Sequence, residues 1–94
     1  MADTFDMLNT VKAALNITGN YQNVALQTYI DEVNEYLRAA GVPESLINVP
    51  VSAGTVARGV ADLWNYGAGE GRLSPYFYER VIQLASKNGG GING

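Results

Sequence analysis

The chain has 94 residues, enough for one domain with a modest core, and 47% of them are hydrophobic, which sets it apart from disordered chains. It has no Cys and no His, which excludes disulfides, thiolate and imidazole catalysis, and Cys- or His-ligated metal. Nine acidic and six basic residues give a formal charge of −3, with the basic ones scattered, so no basic face for phosphates is evident.

No apolar run approaches the roughly 18 residues of a membrane span. Met1-Ala2-Asp3-Thr4 carries neither a basic region nor an apolar block, so no signal peptide is expected. Asn16-Ile17-Thr18 matches a glycosylation sequon, read as chance without an export signal.

The spacing predicts an all-α fold, a small bundle of four helices. The first runs from about Thr4 to Leu15, capped by Asp3, with Asp6 in the first turn. Phe5, Leu8, Val11 (or Lys12) and Leu15 form its apolar stripe. Asn16 to Asn20 is a turn in which Gly19 takes positive φ. The second helix, about Tyr21 to Ala40, buries Leu26, Tyr29, Ile30, Val33, Leu37 and Ala40. Gln27, Asp31, Glu35 and Arg38 fall on its other side, where Glu35 and Arg38 can pair.

Gly41 and Pro43 stop that helix. Pro43 to Leu46 can make one helical turn, Leu46, Ile47 and Val49 anchor the connector, and Pro50 keeps it extended; a short strand is the alternative. Ser52 caps a third helix, about Ala53 to Tyr66, burying Val56, Val60, Leu63 and Trp64. Gly54 and Gly59 weaken it by about 1 kcal/mol each relative to Ala, unless one permits a close helix crossing.

Gly67-Ala68-Gly69-Glu70-Gly71-Arg72 reads as a flexible glycine-rich loop ending at Ser74-Pro75, a cap and first-turn proline. The fourth helix, about Pro75 to Lys87, buries Phe77, Val81, Leu84 and Ala85, with Tyr78 and Ile82 extending that stripe sideways. From Asn88 onward a flexible tail is expected, giving a helical domain over 1–88 and a tail over 89–94.

The candidate chemistry is thin. Gly67-x-Gly69-x-Gly71 lacks the preceding strand and the spacing of a phosphate cradle, although the helix start at Pro75 could accept a neighbour's carboxylate. Asp31 and Glu35 lie one turn apart on an outer face, where solvated carboxylates are expected; magnesium binding by such a pair would look no different. Asp6 and Asp62 read as surface or inter-subunit charges.

Six tyrosines are many for this length. Tyr29 belongs to the core, while Tyr36, Tyr66, Tyr76 and Tyr78 do not all fit one small core. With Arg58, Arg72 and Arg80 they make a candidate subunit or partner interface, the competing reading being padding at the core's rim. A helix-turn-helix DNA-binding regulator is the second class, from the first helix, the Gly19 turn and the second helix. Its reading helix, Tyr21 to Gln27, offers amides but no Arg or Lys and runs into Asp31, Glu32 and Glu35. No enzyme and no cofactor are expected.

Four segments carry a family resemblance. They are Phe5-x-x-Leu-x-x-Val-Lys-x-x-Leu-Asn-Ile-Thr, then Ala40-Gly41-Val42-Pro43, then Val56-Ala57-Arg58-Gly59-Val60-Ala61-Asp62-Leu63-Trp64-Asn65-Tyr66-Gly67, and last Leu73-Ser74-Pro75-Tyr76-Phe77-x-x-Arg80-Val81-Ile82-Gln83-Leu84. Together they resemble the small head–tail connector proteins of tailed bacteriophages, also described as DNA-packaging proteins. The most specific parts are Trp64-Asn65-Tyr66-Gly67 and Leu73-Ser74-Pro75; Ala85-Ser86 replaces the Arg-Gly many relatives have after Gln-Leu.

The resemblance implies a structural virion protein. Copies would form a ring, usually twelvefold, beneath the portal protein, extending the DNA channel and docking the next head-completion or tail protein. The genome would pass without specific binding. The protein would sit at the head–tail interface of the virion, and in the host cytoplasm during assembly.

Overall fold

A computed structural model describes residues 5–66 and 73–89 of the chain. These residues form four α-helices, with no strand among them. The expected glycine-rich loop over 67–72 lies outside the described residues, as do Asp3 and the tail beyond Gly89.

Helix α1 is Met7–Leu15, starting three residues later than the spacing suggests. Its cap is Asp6: the side chain accepts the Asn9 backbone N–H at 3.1 Å, and the Asn9 amide donates to it at 2.8 Å. Asn16, in the left-handed region at φ 61°, ends the helix and lets the Ile17 N–H bond the Lys12 carbonyl at 2.9 Å. The later start also shifts the buried stripe. Met7 and Val11 are inside, whereas Leu8 packs at the core's edge, partly buried.

Lys12 is also buried. Its ammonium donates to the Gly19 carbonyl, and to the side-chain oxygens of Asn20 at 3.2 Å and Asn23 at 2.8 Å. One cation thus collects three oxygens of the α1–α2 turn and satisfies a charge that burial would otherwise penalise. Gly19 has the positive φ expected of it, 82°.

Helix α2 is Asn23–Ala39. Leu26, Ile30, Val33 and Leu37 recur at three-four spacing and have no exposed surface, so the face read from the sequence is the face that packs. Ala40 falls just past the helix and is exposed. Gly41, at φ 95°, turns the chain so that the Val42 N–H reaches the Leu37 carbonyl at 3.0 Å, and Val42 itself is buried.

The connector is two single turns of 3-10 helix, Glu44–Leu46 and Pro50–Ser52, rather than a strand. Pro50 opens the second turn instead of holding an extended chain. Ser52 is buried there, its hydroxyl donating to the Val49 carbonyl at 3.0 Å. It closes the turn that leads into the third helix.

Helix α3, Ala53–Tyr66, packs against each of the other three. Val56, Val60 and Leu63 are buried; Trp64 is half-buried at the core's edge, its ring edge-on to Tyr29 with centroids 5.8 Å apart. Gly59 marks the tightest place. A Cβ there would lie 2.7 Å from a Phe77 ring carbon and 3.0 Å from a Val33 methyl. The glycine therefore permits the close approach of α2, α3 and the last helix.

That helix, α4, is Pro75–Gly89 and continues through Asn88 and Gly89, past the expected stop at Lys87. Ser74 caps it, its hydroxyl accepting the Phe77 N–H at 3.1 Å. Phe77, Val81 and Leu84 face inward.

Candidate interaction surface

Successive residues of a helix are about 100° apart, so Tyr78 and Ile82 stack one turn apart while Phe77 and Val81 turn inward. Phe77 is fully buried, but Tyr78 is 41% exposed and Ile82 66%. Ile82 therefore carries the apolar stripe sideways out to solvent. Tyr36, from the C-terminal half of α2, completes the group. Its ring centroid is 5.6 Å from those of both Phe77 and Tyr78, at tilted angles that aromatic pairs favour.

The cluster thus runs continuously from the core through Phe77 and Tyr36 to an apolar surface at Tyr78 and Ile82. Partial burial pushes the Tyr36 phenol above its ordinary value of 10.0, and hydrogen bonding to Tyr78 adds to the shift. Both effects favour the neutral hydroxyl, which keeps the cluster uncharged.

Two of the three arginines have a described place. Arg80 lies about 200° around α4 from Tyr78. It reaches over α3, where its guanidinium would be 3.0 Å from a Cβ at Gly54. There it lines a small groove of about 200 Å³ with Val51, Thr55, Gln83 and Leu84. Arg58 donates to Asp62 at 3.2 Å. Arg72 and the side chains of Tyr66 and Tyr76 fall outside the described residues.

Asp62 is not the surface charge its sequence context suggests. It is 4% exposed, and its second carboxylate oxygen accepts the Ser74 backbone N–H at 2.9 Å. The carboxylate joins α3 to the residue that caps α4, fixing where Phe77, Tyr78 and Ile82 emerge. Asp6 is exposed but committed to its capping role.

A second exposed apolar pair sits at the opposite end of α2. Tyr21 is 94% exposed and Val24 82%. The 17 residues of α2 span about 25 Å, so this pair and the Tyr36 cluster are separate surfaces. Val24 was not legible as exposed, because a lone valine at a helix start carries no sign of which way it faces.

Asp31 and Glu35 are exposed, with Gln27 donating to Asp31 at 2.9 Å and Arg38 to Glu35 at 2.7 Å. Arg38 also reaches Glu44, and its guanidinium is held above its ordinary pKa mainly by that bond. Among the described residues no three acidic or other typical metal-binding side chains converge, and no helix is long and apolar enough to cross a membrane. No family model, curated protein or solved structure matches the chain.

Proposed function

We propose that the protein is a structural adaptor of the tailed-phage particle. Copies form a ring beneath the portal that extends the DNA channel and offers a landing surface to the next head-completion or tail protein. The observation that carries this reading is the Tyr36–Phe77–Tyr78 cluster opening onto exposed Ile82, a rigid aromatic surface on an otherwise polar helix face. The resemblance of Trp64-Asn65-Tyr66-Gly67 and Leu73-Ser74-Pro75 to the connector family gives that surface its assignment.

Two further features support it. A head-to-tail ring needs two different surfaces on each subunit, and the Tyr21–Val24 pair is a second apolar surface at a distance from the first. The net charge of −3 suits a channel wall through which duplex DNA must slide without sticking. The DNA-regulator alternative would set α2 against phosphates. Its outer face presents Asp31, Glu32 and Glu35, all exposed, which repel them.

Mass spectrometry of purified virions, with negative-stain images of the purified chain, tests the proposal. The expected result is the protein in finished particles and ring-shaped assemblies of the purified chain. Absence from particles, together with salt-sensitive retardation of duplex DNA, would favour the regulator.

A further inference from the structure

The side of α2 away from the aromatic cluster holds a polar groove that the adaptor reading leaves unused. It encloses about 400 Å³ between α2 and the connector, lined by Gln27, Asp31, Asn34, Glu35, Arg38 and Asn48. Asn34 is 6% exposed, yet its Oδ1 is buried without a hydrogen-bond partner among the described residues. An unpaired buried acceptor costs about 1–3 kcal/mol, so an Asn here needs a reason.

The same amide donates to the Asn48 Oδ1 over a long 3.4 Å, leaving that oxygen capacity for another partner. Asn48 is itself held at φ 60°, a conformation that Asn tolerates better than most side chains. Asp31 and Glu35 add two carboxylates one turn apart, each with lone pairs beyond the bonds to Gln27 and Arg38. Two carboxylates, Asp31 and Glu35, against the one guanidinium of Arg38 leave the lining negative.

We propose that this groove binds a hard divalent cation, Ca²⁺ or Mg²⁺, through the Asp31 carboxylate and the amide oxygens of Asn34 and Asn48. Glu35 holds a water of the ion's hydration shell. The donors are all oxygens, which is what such cations take, and the groove has room for the waters they keep. With two carboxylates and an arginine nearby the affinity is modest, a Kd of about 10⁻⁴–10⁻³ M. A bound ion would tie α2 to the connector at Asn48 and give Asn34 Oδ1 the partner it lacks.

Amide NMR of the full chain, titrated separately with CaCl₂ and MgCl₂ at constant ionic strength, reads this directly. The expected result is saturable shifts confined to 27–38 and 44–49, with one or both ions. Asp31→Asn should weaken binding at least about tenfold, since charge count sets affinity in such sites. Asn48→Gly, which suits the backbone there, should weaken it as well, while Glu32→Gln on the neighbouring face leaves it unchanged. No saturable shift with either ion up to about 20 mM, well above the expected Kd, would overturn the site. So would shifts that survive Asp31→Asn and Asn48→Gly together. The readout does not depend on ring assembly, so it stands or falls apart from the adaptor role.

Discussion

The two faces of α4 divide the molecule's tasks. Inward, Phe77, Val81 and Leu84 are at most 4% exposed, and Phe77 sits so close to α3 that only a glycine fits opposite it. Outward, one position on, Tyr78 and Ile82 give much of their apolar surface to solvent. Burying those two would have stabilised the fold, at about 25 cal/mol for each Å² removed from water. Leaving them out forgoes that stabilisation within the chain, and under the proposed adaptor role it is available to an association. The contrast teaches where to cut: inward substitutions should unfold the protein, and outward ones should disarm it while it stays folded.

Phe77→Ala tests the inward face most severely. It should destabilise by about 3–5 kcal/mol in denaturant titration, the usual range for emptying a buried phenylalanine site. Asp62→Ala comes next, at about 1.5–3 kcal/mol, because it strips the Ser74 N–H and Arg58 of a charged acceptor. A loss near zero would mean that the Asp62 link does not hold α4 in place.

The two glycines of α3 sharpen the comparison further. Gly59→Ala should cost up to about 2 kcal/mol, since overpacking against Phe77 and Val33 outweighs the gain of about 1 kcal/mol in helix propensity. Gly54→Ala meets only the far end of Arg80 and should be neutral or stabilising. If Gly59→Ala proves neutral or stabilising in thermal melts, the tight crossing at Gly59 is wrong.

A smaller effect belongs to pH. Tyr36's phenol titrates above 10.0 in the folded state, so its contribution is intact below pH 10 and lost as pH rises through the folded value. Tyr36→Phe should flatten the alkaline end of the stability profile. The least effect on folding is expected from Ile82→Ser, at a position 66% exposed, within about 0.5 kcal/mol, as for exposed positions generally.

The four helices were legible because their apolar spacing is regular, most clearly at Leu26, Ile30, Val33 and Leu37, where one face is wholly buried. The start of α1 was not, because Asp3 and Asp6 are both plausible caps one turn apart and spacing alone does not choose between them. Asp62 looked like a surface charge because sequence does not show that the Ser74 N–H needs an acceptor. Lys12 was already a candidate for the α1 stripe and is buried, but its partners, Gly19, Asn20 and Asn23, were not legible, because these turn oxygens are brought together only by folding. At the candidate surface, the surplus of tyrosines pointed to Tyr36 and Tyr78. Sequence nearness did not show that Arg58 pairs with Asp62 or that Arg80 reaches over Gly54.

For the proposed adaptor role, incorporation of the Ile82→Ser variant into phage particles is the most direct measurement. The predicted result is a protein that melts like wild type yet is missing from virions, which then accumulate as heads without tails. A variant packaged at the wild-type level would contradict the claim that the outward face of α4 is a docking surface.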